Sequence, residues 1–174
     1  MQQTGDEDFS FDVKFSSPVV TDGSAQGLVI EQDGQNFIRF ETYRRNGKTI
    51  VFAARLENLV AVKTYSLEIA PAGANMFLRV IRVGDSWQLL YSFDGLTWND
   101  SFNFDHTFVV QEVGVYSSNF RVKGVIPAHT AVVEYFFNTT DATQPGDKSL
   151  LTVTTVGNGQ VQRGSQPPYT CGQT

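Results

Sequence analysis

Cysteine is nearly missing from this chain. The single one, Cys171, has no intrachain partner for a disulfide and cannot build a cysteine metal cluster. Histidine is almost as scarce. His106 and His129 stand apart in loop-like contexts, with no serine nucleophile motif near either. Positive charge is outweighed, with 13 Lys and Arg against 18 Asp and Glu, for a net charge of -5 and a pI near 4.9. Such a surface repels nucleic-acid phosphates and anionic membranes, so nucleic acid is not expected as a partner. No apolar run approaches the roughly 20 residues of a membrane-spanning helix, so membrane insertion is not expected either. Amphipathic helical periodicity is also missing beyond about two turns. The opening "MQQTGDEDF" lacks the basic and apolar regions of a signal peptide. Met1 directly before a polar segment reads as a start placed at a domain boundary. The chain is therefore expected to be a piece of a longer protein, and its N-terminus says nothing about localisation.

What is present points to β structure. Hydrophobic residues make up 41% of the chain and aromatic residues 13%, with 14 Phe, enough for a packed core. "FSFDVKF" (9–15) alternates Phe9, Phe11, Val13 and Phe15 against Ser10, Asp12 and Lys14, the period of a half-buried strand. "GLVIEQ" (27–32) and "NFIRFETYRR" (36–45) flank an Asp33-Gly34 turn. Asn46-Gly47 is a strong hairpin signal, because both residues tolerate positive φ. "KTIVFAARL" (48–56) returns from it. Further strands are predicted at 61–69, 75–83, 86–93, 112–118 and 130–138. Many short strands spaced by turns predict an all-β, two-sheet antiparallel jelly-roll sandwich over residues 6–140. Residues 141–149 read as a Thr-, Asp-, Pro- and Gly-bearing linker. Residues 150–174 start a new pattern with an Asn158-Gly159 turn. Leu151, Thr152, Val153, Gly157, Asn158, Gly159, Tyr169, Cys171 and Gly172 resemble the truncated start of repeat modules of bacterial surface proteins, a stretch expected to be strand-like or disordered.

The stretch "LLYSFDGLTWNDSF" (89–102) resembles the Asp-box hairpins of sialidases, with one residue fewer between Asp and Gly. A sialidase propeller needs several blades of about 40 residues each, which this chain cannot supply. Asp94-Gly95 is expected to make a tight turn and Trp98 to cover it, a structural corner. The same region carries a wider likeness. "NMFLRVIRVGDSWQLLYSFDGLTW", "GLVIEQDGQNFIRFE" and "EVGVYSSN", in their order along the chain, resemble concanavalin A-like jelly-roll domains of bacterial glycosidases, including the C-terminal domains of some β-xylosidases. The resemblance spans about residues 8 to 138. It implies a secreted or cell-surface setting, neighbouring domains in the same parent chain, and several possible roles on one fold.

Catalysis finds no footing in the sequence. The Glu-x-Asp-x-x-Glu run of concanavalin-like glucanases does not occur, and no pair of carboxylates is marked for glycoside hydrolysis. No catalytic residue and no metal ligand is assigned, and no cofactor is expected. A structural calcium is conceivable where Asp6-Glu7-Asp8 meets Glu134 or Asp141, although solvated termini explain these acids more simply. Sugar binding fits better. In 36–45, Ile38, Phe40 and Thr42 take the core phase, leaving Arg39, Glu41 and Tyr43 on the other face. The same phasing leaves Arg79, Gln88 and Tyr116 outward on later strands, with Trp87 in the core. If these strands are neighbours, all six side chains share one sheet surface. Rings there would pack on the apolar faces of sugars, and Arg, Glu and Gln would satisfy hydroxyls. An ordinary cross-strand charge ladder is the competing account. The expected function is a non-catalytic accessory module binding a polysaccharide or other glycan. A spacer or protein–protein module comes second, and a glycoside hydrolase third.

Overall fold

The computed structural model describes residues 1–71, 73–140 and 160–163. The strands are β1 (Gln2–Gln3), β2 (Phe9–Phe15), β3 (Ser24–Glu31), β4 (Phe37–Arg45), β5 (Lys48–Glu57), β6 (Val60–Ile69), β7 (Met76–Val83), β8 (Ser86–Ser92), β9 (Asn99–Asp105), β10 (Glu112–Asn119), β11 (Thr130–Asn138) and β12 (Gln160–Arg163). They form two six-stranded sheets. The front sheet has the order β1-β10-β3-β4-β5-β6 and the back sheet β12-β11-β2-β7-β8-β9. Pairing is antiparallel throughout except for β12, which lies parallel to β11. This is the expected all-β jelly-roll sandwich.

Alternation builds the core. Phe9, Phe11, Val13 and Phe15 of β2 face inward with Leu78 and Val80 of β7 and Trp87 and Leu89 of β8. Leu28, Ile30, Ile38, Phe40 and Val51 meet them from the front sheet. The rings interlock: Phe9 stands edge-on to Phe11 at 5.3 Å and to Trp87 at 5.9 Å, and Phe11 stacks on Phe136 at 5.2 Å. Trp87 donates its indole N–H to the His106 carbonyl at 2.9 Å, so the largest core side chain leaves no polar atom stranded. The buried Gln26 is likewise satisfied, accepting from the Ser17 hydroxyl and donating to its carbonyl, both at 2.8 Å.

Turn chemistry sets the register. Asn46 (φ 53°) and Gly47 (φ 74°) take the two positive-φ places of a two-residue hairpin, which makes Arg45 pair with Lys48. Every later pairing of β4 with β5 follows from it. The sandwich also extends past the predicted 6–140. β1 pairs with β10 before residue 6, and β12 adds an edge strand drawn from the 150–174 stretch. The linker 141–149 and the remaining residues matched to surface repeats lie outside the described residues.

Candidate functional site

The outer surface of the front sheet is built in rows across its strands. One row reads Tyr116, Gly27, Glu41, Phe52 and Ser66, each directly paired with the next. Flanking rows place Arg39 beside Ala54, and Tyr43 beside Ala25 and Ile50. Four of the predicted residues, Arg39, Glu41, Tyr43 and Tyr116, therefore share one face, with Phe52 between them. Phe52 is half-buried. The Tyr43 ring meets it edge-on at 5.7 Å and meets Phe120 at 5.6 Å on its other side. The Arg39 guanidinium stands 5.3 Å from the Phe52 ring centroid. Edge-to-face rings and a cation over a ring are both favourable arrangements, and here they hold a semi-rigid aromatic platform.

Glu41 and Arg39 lean in opposite directions. Glu41 reaches across Gly27 to the next strand but one, where the Tyr116 hydroxyl donates to its carboxylate. The crossing needs glycine: a Cβ on Gly27 would lie 2.7 Å from the Glu41 Cβ and 2.2 Å from the Phe40 carbonyl oxygen. Glu41 is only 4% exposed. Burial raises its pKa, and the nearby Arg39 charge and the Tyr116 hydrogen bond only partly oppose that rise. The Tyr116 hydroxyl is pushed well above the ordinary phenol range by burial, and further by the Glu41 charge. Arg39 leans the other way, over β5. Its Nε is shielded from solvent and has no hydrogen-bond partner among the described residues.

Arg79 and Gln88 are not part of this face. They belong to β7 and β8, strands of the back sheet, and point out from the opposite side of the sandwich. Strand alternation distinguishes inward from outward, but it does not tell which sheet a strand joins. Arg79 makes a two-pronged pair with Asp12, Nε and one terminal nitrogen each at 2.6 Å from a carboxylate oxygen. The Gln88 amide donates to Asp100 at 2.6 Å and helps line a groove of about 430 Å³ along β7, β8 and β9. Trp98, expected to cover the Asp94-Gly95 turn, is half-buried and lies beneath the Arg79 guanidinium at 4.0 Å.

The Asp-box stretch is a corner, as expected. Asp94 accepts the N–H groups of Leu96 at 2.8 Å and Thr97 at 2.7 Å, while the Ser92 hydroxyl accepts that of Gly95 at 2.9 Å. Those two backbone bonds and the Ser92 hydroxyl hold the Asp94 pKa down to about 2. Three of the acids weighed for calcium, Asp6, Asp8 and Glu134, have other partners. Asp6 accepts from Arg82 at 2.5 Å and from the Val110 N–H at 3.1 Å, Asp8 from the Gly84 N–H at 2.6 Å, and Glu134 pairs with Lys14. Among the described residues, no group of three or more His, Cys, Asp or Glu is placed to hold a metal ion. Asp141 lies outside them. His129 meets Gln26 at 3.2 Å and His106 stacks on Phe108, both structural settings.

No protein-family model matches the chain, and no curated protein matches it. Solved structures do. A functionally unknown protein from Saccharomyces cerevisiae superposes with a TM-score of 0.56 at 16% identity, over 68% of this chain and 63% of that one. The GH43 protein BlXynB from Bacillus licheniformis gives 0.56 at 16% identity, over 67% of this chain and 25% of that one. Chicken galectin 2 gives 0.50 at 11% identity, over 79% and 98%. The chain thus spans about a quarter of the GH43 protein it matches, and under two thirds of the yeast one. At these identities the likeness is one of fold: a lectin-like jelly-roll sandwich shared with galectins and with a portion of GH43 proteins.

Proposed function

We propose that this chain is a non-catalytic carbohydrate-binding module of a larger secreted or cell-surface protein, and that its ligand lies across the outer face of the front sheet. One observation carries the reading. Tyr43, Phe52, Arg39, Glu41 and Tyr116 converge on one sheet face, joining ring surface to a cation and a hydrogen-bonded carboxylate. Rings of this kind take up the apolar faces of sugars, and the Arg39 guanidinium can donate to hydroxyls, while the shielded Glu41–Tyr116 pair braces the face. The fold shared with a galectin and with part of a GH43 protein adds support from two sugar-handling groups.

Affinity electrophoresis through gels cast with plant and algal polysaccharides tests it. Retardation by at least one polysaccharide is expected, with Tyr43→Ala weakening binding by about 1–2 kcal/mol, the value of one half-covered aromatic side chain. Failure of every polysaccharide to retard the chain overturns the reading.

A second reading, a protein-contact module, is favoured by the β5–β6 corner. Leu59 there is exposed at a φ of 64°, a conformation leucine rarely adopts, next to the exposed Val60 and Val62 of edge strand β6. The same gels separate the two readings, because this corner is not on the Tyr43 face.

A further inference from the structure

The front-sheet face holds a cation that has a ring beneath it but no oxygen partner among the described residues. Arg39 is half-buried, and its guanidinium makes neither a hydrogen bond nor an ion pair among the described residues. The other half-buried or buried arginines each have an oxygen partner, although the Arg55 Nε is unmet like that of Arg39. Arg44 donates to the Thr49 hydroxyl at 3.2 Å, Arg55 pairs with Glu57 at 3.2 Å, Arg79 with Asp12 at 2.6 Å, and Arg82 with Asp6 at 2.5 Å. Each meets an oxygen. The carboxylate closest along β4, Glu41, is turned away over Gly27 to Tyr116, on the other side of the strand from Phe52.

A guanidinium left with an unmet N–H in a shielded position is matched by a carboxylate, to which its planar fork can donate two parallel hydrogen bonds. Such an anion would have to arrive on a body that also fits ring faces, because Phe52 lies under the guanidinium and Tyr43 lies beside Phe52. A uronic acid has both parts: a pyranose with an apolar face and a carboxylate at one corner. The alternation of β4 puts Arg45 on the same face as Arg39 and Tyr43, about 20 Å along the strand from Arg39 at about 3.3 Å per residue. Arg45 makes no ion pair among the described residues either. Other acids on this face leave that track open. Glu68 is held by Lys48 at 2.7 Å, and Glu31 and Glu112 are cross-strand neighbours at the far end, beyond Arg39, with the Met1 ammonium close to both. A chain of sugars running from Arg39 past Tyr43 to Arg45 meets cations at both ends and rings between them.

We propose that the glycan bound by this face is acidic, a uronic-acid polysaccharide with one carboxylate seated on Arg39. This rests on the carbohydrate-binding reading above and names the ligand class within it. Three gels are run with the full chain: polygalacturonate, the same polymer with its carboxyl groups reduced to alcohols, and neutral xylan. The expected result is retention by polygalacturonate, with affinity at least about tenfold weaker on the reduced polymer, the loss of one charge-assisted contact. Arg39→Gln is expected to level the two affinities, and Arg39→Lys to restore only part of the difference because it lacks the fork. Equal binding of the two polymers by the unaltered chain, or retention on xylan without retention on polygalacturonate, overturns the acidic assignment and leaves sugar binding standing. Preference for polygalacturonate that survives in a folded Arg39→Gln chain also overturns it. No retention on any gel, including the wider polysaccharide set, overturns both.

Discussion

Arg39 and Arg79 hold equivalent places on the two outer faces of the sandwich. Each is near the middle of its sheet, on a strand flanked by partners on both sides, with its guanidinium over an aromatic ring. Their surroundings differ. Arg79 is forked onto Asp12, which is only 4% exposed, so its face is internally satisfied. Arg39 has a ring beneath it and no oxygen. On the back sheet, Asp12 is the cross-strand partner of Arg79, so the two charges face each other directly. On the front sheet, the cross-strand partners of Arg39 are Val29 and Ala54, which offer it nothing polar in their side chains. The same residue type on the same alternation thus serves stability on one face and is available for recognition on the other. Cross-strand partners decide which.

The sharpest way to break this comparison is Asp12→Ala. It strands Arg79 without its carboxylate, and breaking a largely buried pair costs about 2–3 kcal/mol when one partner keeps some solvent. Urea unfolding should show that loss, while retention on polysaccharide gels should not change. Unaltered stability would mean that the back-sheet pair is ornamental and the contrast with Arg39 false. Trp98→Ala is the milder probe of the same face. Trp98 is half-exposed and stacks on Arg79, so about 1–2 kcal/mol of cation–π and partial burial is at stake, less than a fully buried tryptophan would cost. A loss above about 4 kcal/mol would place Trp98 in the core after all.

Much of the front face was legible in the sequence, and the reason is local. Alternation in 36–45 separates Arg39, Glu41 and Tyr43 from Ile38, Phe40 and Thr42, and the structure keeps that division. Phe52 was missed although its signal was present. The two-residue Asn46-Gly47 turn makes Arg45 oppose Lys48, and counting back along both strands sets Phe52 against Glu41. The role of Gly27 was not legible, because it depends on β10 pairing with β3 from more than eighty residues away. The same kind of distance misled the reading of Arg79 and Gln88. Their outward phase is correct, but β7 and β8 join β2 in the back sheet through pairings that no local pattern encodes. Trp98 follows a hairpin that is read correctly, yet its ring is half-exposed against Arg79, whose guanidinium is held by Asp12, a residue far away in the sequence.

The smallest expected effect sets the two faces against each other in their response to pH. Glu41 on the front face has a pKa raised by burial. The folded state therefore holds the Glu41 proton more tightly than the unfolded chain does. Its contribution to stability is fully present below the ordinary value of 4.5 and is lost as pH rises through the raised folded value. Asp94, at the back-sheet hairpin, has its pKa held down to about 2 by backbone N–H groups. Its contribution is present above the ordinary value of 3.8 and is lost as pH falls toward about 2. Glu41→Gln keeps a partner for the Tyr116 hydroxyl but removes the titration. Relative to that variant, the unaltered chain should lose stability as pH rises from about 4 toward neutrality, whereas Asp94→Asn should run parallel to and below the unaltered chain across that range, the gap closing only in stronger acid. Urea midpoints across the two ranges measure both. A Glu41→Gln chain whose midpoint runs parallel to the unaltered one through the rise would show that Glu41 is not desolvated, and that the front face is wetter than its Gly27 crossing requires.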